Sequence, residues 1–191
     1  MTDLTEILYE GIKKTIENWT EAGIYAISFF VYDECDDPNK PTVTVGYNTE
    51  ACFQDSVEDA SDEGEARWNY AFWLQNREFV FGRGKTAAVV SKWRKENGYK
   101  CEEEDEDGEE EYDENGYYIG KPPLVTEKFI EVLIETARRL HESGVIRAHF
   151  GKEIPILIHE LEYYDALAEE TRRANPEGVA DDFIQWVQNG Q

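Results

Sequence analysis

The chain has 191 residues, 40% hydrophobic and 13% aromatic with five Trp, enough to bury one sizeable core, so a single domain over residues 1–191 is expected. Its 42 Asp and Glu against 19 Lys and Arg give a net charge of −23, a field that repels nucleic acid and anionic lipid and favours a basic protein partner. Three dispersed cysteines (Cys35, Cys52, Cys101) without a CxxC spacing argue against a disulfide framework or a zinc site, and neither a secretory leader nor an apolar run of the ~20 residues that span a bilayer is visible, so the expected location is cytoplasmic.

Leu4, Ile7, Leu8, Ile12, Ile16 and Trp19 recur at helical spacing, with Asp3 or Thr2 placed to cap and Gly23 to end the segment. Ile24 to Tyr32 is β-branched and aromatic on both alternating faces, which suits a central strand, and Thr42 to Tyr47 suits its neighbour across a long hairpin loop. Asn48 is expected to cap a short acidic helix to about Asp59, followed by the aromatic stretch ARWNYAFWLQN, whose Trp68 and Phe72 are spaced as on one helical face. Residues 77–81, REFVF, read as a short strand, and Lys85 to Asn97 as a helix that Gly98 terminates.

Between Glu102 and Glu114, eleven of thirteen residues are acidic, and without them the chain still carries −12. Such a block repels itself and has almost nothing apolar to bury, so residues 100–120 are expected to form a mobile, solvated insertion or a charged recognition surface. Charge of this kind also simply keeps a crowded protein dispersed. After Pro122 and Pro123, Ile130, Leu133, Ile134, Ala137 and Leu140 form one helical stripe that Gly144 stops. EIPILIHEL reads as a strand in which Pro155 favours an edge or a strand start. The rest is helical: Tyr164 to Ala174, then Asn175 as cap and Pro176 in the first turn of a helix burying Val179, Phe183, Trp186 and Val187. Helices and strands do not alternate as βαβ units, so the expected fold is α+β, a small, mostly antiparallel sheet covered by helices.

No motif carries a reaction. In Phe79-Val-Phe-Gly-Arg-Gly-Lys-Thr86 the first glycine of a phosphate-binding GxxxxGKT loop is Phe79, which leaves an ordinary strand-to-helix turn. Glu103, Asp105, Asp107, Gly108 and Glu114 have the spacing of a calcium loop, but Glu110 occupies the usual apolar position and no flanking helix pair frames it. His159-Glu-Leu-Glu-Tyr163 begins like HExxH with Tyr163 in place of the second His; His141 suits a helix C-terminus, and His149 has no partner at ligand spacing. No cofactor, metal ligand or catalytic residue is assigned, although a triad assembled from distant residues stays open. Trp68, Tyr70 and Trp73, beside Arg67 and Arg77, could anchor an interface or fill the core, with Tyr70 and Trp73 the expected exposed pair.

In order and pattern, IYAISFFVYDE followed by TVTVGYNTE, then ARWNYAFW, and the terminal EIPILIHELEYYDALAEETRRANPEGVADDFIQWV resemble the bacterial domain-of-unknown-function family 4303. The acidic insertion departs from that pattern. The resemblance implies likeness to cytoplasmic, acidic immunity proteins that neutralise a toxin by binding it. The expected function is therefore a non-enzymatic module that binds a basic protein, a toxin domain on the resemblance, through Trp68, Tyr70, Trp73 and the acidic residues Glu102, Asp105, Asp107 and Glu114. A hydrolase with a dispersed active site is the alternative, and an acidic structural or calcium-associating protein the third. The sequence does not specify an oligomeric state.

Overall fold

A computed structural model describes residues 2–99 and 124–189 of the chain. Helix α1, Leu4–Ile16, starts where the Asp3 carboxylate accepts the Glu6 N–H at 3.0 Å, and it buries the stripe Leu4, Leu8, Ile12 and Ile16. Strands β1, Ile24–Asp33, and β2, Pro41–Thr49, form the expected antiparallel hairpin. The short β3, Phe79–Phe81, pairs antiparallel to β2, and β4, Ile156–His159, runs parallel to β1, giving the order β3-β2-β1-β4. The fold is α+β, a small and mostly antiparallel sheet covered by helices.

A bulge between Ile24 and Ala26 decides which side chains meet which layer, because an extra residue in one strand shifts its alternation by one. Ile27, Phe29 and Val31 therefore share a face with Val43, Val45, Phe81, Ile156 and Ile158. This face packs in the main core with α1 and α5, Leu124–Glu142. On the opposite face, Tyr25, Ala26 and Leu157 join a second core. It is built from Phe53 of α2 (Glu50–Ser56), Trp68 of α3 (Glu63–Trp68), Leu167 of α7 (Asp165–Ala174) and Phe183 of α8 (Asp181–Gln188). Helices α4, Ala87–Asn97, and α6, Val145–Phe150, complete the layers; Gly98 ends α4 in the left-handed conformation, as its position predicts.

Side chains pair backbone groups along β4 and at one position of β2. Pro155 O accepts the Ile27 N–H at 2.9 Å, so the alternation of a parallel pair turns the backbone groups of Ile156 and Ile158 outward. There the Asn175 amide accepts from Ile156 N at 2.8 Å and donates to Ile156 O at 2.7 Å, while the Thr171 hydroxyl does the same for Ile158 at 3.1 Å each way. One turn of α7 thus substitutes for a missing strand. On β2, Asn76 plays this part for Tyr47, accepting at 2.9 Å and donating at 3.3 Å, and it lies so close that a Cβ on Gly46 would meet the Asn76 carbonyl oxygen at 2.6 Å.

Several local expectations are corrected. Thr49, not Asn48, caps α2, accepting from Cys52 N at 3.2 Å; Asn48 is a buried strand residue whose amide donates to the Tyr25 hydroxyl at 2.9 Å. Asn175 does not cap a helix starting at Pro176, because its amide serves β4, and α8 starts only at Asp181. Helix α6 follows Gly144 without a signal strong enough to announce it. The Gly82-Arg-Gly-Lys-Thr86 turn is ordinary, since Thr86 Oγ1 takes the Gly82 N–H at 2.9 Å and donates to Arg83 O at 2.9 Å. The acidic insertion and its calcium-like spacing lie outside the described residues.

Candidate functional site

β1 and β4 bring their C-terminal ends together, with Phe30 beside His159 in register. His159 Nδ1 lies 3.0 Å from Glu160 O, a carbonyl that can only accept, so Nδ1 carries the proton and Nε2 the lone pair. The Ser28 hydroxyl therefore donates to Nε2, at 2.7 Å across 131 residues of sequence. This is the contact of a nucleophile with its base, with a backbone carbonyl orienting the imidazole where a carboxylate commonly stands.

Burial decides what the pair can do. Ser28 is 1% and His159 2% exposed, and the imidazole is enclosed by the rings of Tyr70, Phe30, Tyr163 and Trp73 at 4.8, 5.5, 6.2 and 6.4 Å between centroids. Desolvation pushes the His159 pKa down to about 4, far from the neutral range that suits a general base. Sealed from substrate and held neutral, the pair acts as a satisfied polar tie between β1 and β4.

The aromatic segment closes this box. Tyr163 OH accepts from Tyr70 N at 2.8 Å and donates to Trp68 O at 3.3 Å, and Trp73 Nε1 donates to Arg67 O at 2.9 Å. Trp68 and Trp73 are buried in the second core, and Tyr70, half-buried, stacks on Phe30 at 5.2 Å. The expectation that Trp73 is exposed fails because α3 stops at Trp68 and Asn69 is extended, so helical spacing does not continue through Phe72. Arg67 is engaged as well: its guanidinium lies 4.2 Å from the Tyr25 ring centre and pairs with Glu50 at 2.8 Å. Of the residues singled out for partner binding, the structure places Tyr70 and Trp73 against His159 and Trp68 against Tyr25 and Phe183 in the second core, whereas Glu102, Asp105, Asp107 and Glu114 lie outside the described residues.

Beyond the box, the chain leaving β4 forms a surface that sequence reasoning missed. Leu161 is 72% exposed, and Tyr164 and Tyr32 are exposed at 39% and 44%. The Tyr164 hydroxyl donates to the Glu160 carboxylate, and that of Tyr32 to Asp36 at 3.2 Å. Desolvation raises the carboxyl pKa values of Asp33 and Glu160, and Thr126 Oγ1 partly offsets this at Asp33, 3.0 Å from each oxygen. On α7, burial and then the Glu160 charge push Glu170 up to about 7. The nearest countercharge, Arg173, is held in a fork by Glu131 at 3.0 and 2.6 Å. Among the described residues, Asp33, Glu160, Glu162 and Glu170 form no ion pair, and no cluster of three metal-ligating side chains occurs. The one sequence signal for this face was the acidic, aromatic run Glu160 to Asp165 directly after an edge strand.

At the C-terminal end of α5, an open groove of about 390 Å³ runs between α1 and α6. Its lining mixes Lys13, Glu17 and His149 with Tyr9 and Val145 and presents no convergent set of polar groups. No described helix is long and apolar enough to cross a membrane. Family models, curated proteins and solved structures yield no match to the chain.

Proposed function

We propose that this protein is a non-enzymatic binding module for a basic protein and, on the sequence pattern alone, that it neutralises a basic toxin domain in the manner of immunity proteins. The observation that carries the reading is the charge: −23 over the chain and −12 without the run from Glu102 to Glu114. A field of that sign raises the encounter rate with a cationic partner and rejects polyanions. The unpaired carboxylates where β1 and β4 end give it a local focus.

Affinity capture from the native cell, followed by association kinetics with the captured protein at ~0.05 and ~0.5 M salt, tests the proposal, because screening contracts the reach of surface charge from roughly 14 to 4 Å over that range. The on-rate falls as salt rises if charge steers the encounter. A salt-independent on-rate, or an acidic partner, overturns it. The hydrolase alternative would require the buried Ser28–His159 pair to open to substrate; turnover of an ester that Ser28→Ala abolishes without unfolding the protein would establish it.

A further inference from the structure

We propose that the exposed Tyr32, Leu161 and Tyr164, at the end of the sheet where β1 and β4 finish, together make a docking surface, and that its occupant is a partner segment carrying an aliphatic or aromatic side chain flanked by Lys or Arg. The inference rests on the basic-partner reading and gives it a location.

Leu161 carries the apolar half of the argument. A leucine 72% exposed in the short connection from β4 to α7 buries little within its own fold, and two exposed tyrosines lie at the same end of the sheet. Both rings are held before any partner arrives, Tyr164 by Glu160 and Tyr32 by Asp36, so little side-chain freedom remains to be lost on contact. Tyrosine anchors ringed by polar groups are characteristic of the centre and rim of protein interfaces.

The identity of the occupant follows from the rim. Asp36 accepts from Tyr32 and Glu160 from Tyr164, Asp33 lies within electrostatic reach of Tyr32 and Glu162 and Glu170 of Tyr164, and none of the five has an ion-pair partner among the described residues. A second copy of the chain would bring the same carboxylates against them and be repelled, as would nucleic acid or an anionic bilayer. A segment with cations on either side of an apolar tip complements both halves. Its charge also counters the burial and the neighbouring Glu160 charge that push Glu170 up to about 7, so docking releases a proton from Glu170 near neutral pH.

Three synthetic peptides serve as probes: one alternating Arg with Trp and Leu, one with Ser in place of Trp and Leu, and one with Ser in place of Arg. Amide NMR of the full chain is followed during each titration. The first peptide should shift the resonances of Tyr32 and residues 160–164, and removing either its cations or its apolar side chains should weaken binding by about 10-fold or more, as loss of a hot-spot contact does. Leu161→Glu should weaken it comparably with an otherwise unchanged spectrum, and Leu161→Ala by less. Equal binding of the Arg–Ser peptide, or shifts confined to residues 102–114, overturns the face while leaving charge-driven recognition intact. If no Arg-containing peptide binds anywhere, the basic-partner reading falls with it. Concentration-dependent self-association abolished by Leu161→Glu would make the occupant a second copy and refute the stated one.

Discussion

Thr171→Val tests whether α7 completes the sheet, because it deletes one hydroxyl and nearly conserves volume. Thr171 is fully buried, and its Oγ1 both accepts from Ile158 N and donates to Ile158 O at 3.1 Å. Valine leaves those two backbone groups without partners beside Ile158, itself 1% exposed, where water has no easy entry. Each stranded group costs about 1–3 kcal/mol, so a loss of ~2–5 kcal/mol is expected, a large part of the ~5–15 kcal/mol that holds a domain folded. Urea unfolding should show a lower midpoint with an unchanged slope, and the Ile158 amide should exchange with solvent faster relative to its neighbours. Thr171→Ser keeps the hydroxyl and should recover most of the loss. A Val variant within ~0.5 kcal/mol of the parent, in the range of ordinary surface changes, would refute the proposed pairing.

Phe29→Ala, in the main core with no exposed surface, should cost ~3–5 kcal/mol in the same assay. His159 titrates near 6.5 when unfolded and about 4 when folded, so its contribution is intact above pH 6.5 and fades as pH falls through 4, by up to about 3 kcal/mol. Glu170 has the opposite sign: with its folded value raised to about 7, it favours the folded state at low pH and loses that advantage as pH rises from 4.5 through 7. Glu170→Gln should therefore stabilise the protein at pH 8 by roughly 1–2 kcal/mol, allowing for solvent screening of a partly exposed carboxyl, have little effect at pH 4, and expose the His159 slope in denaturation curves taken across pH. Deleting Glu102 to Glu114 should leave cooperative unfolding in place, since eleven like charges in thirteen residues have almost nothing apolar to pack; its loss on deletion would show the run to be structural.

Periodicity made α1, β1, β2 and α5 legible because each buries a stripe or face that local sequence alone specifies. The α+β class followed from their order. It could not show where a polar side chain abandons its own neighbourhood: Asn175 looks like a cap by position and Asn48 like a helix start, yet each is held by a partner far along the chain. Trp73 was misread for the complementary reason, since a single extended residue, Asn69, breaks the spacing that would have placed it outward. The Ser28–His159 contact joins elements 131 residues apart and leaves no local trace. Leu161 was open to inspection in the sequence, but only the structure shows that the fold leaves most of it exposed.

The two asparagines and the threonine along the sheet's margins also constrain how this protein can meet another. Backbone groups left open on an edge strand invite a foreign strand to add itself, the route used by peptide-binding sheets and by amyloid alike. Here Ile156, Ile158 and Tyr47 already spend both their N–H and C=O within the molecule. Strand addition at those positions would first have to displace α7 or Asn76, so along β4 a partner is met by side chains, and selectivity there is left to shape and charge.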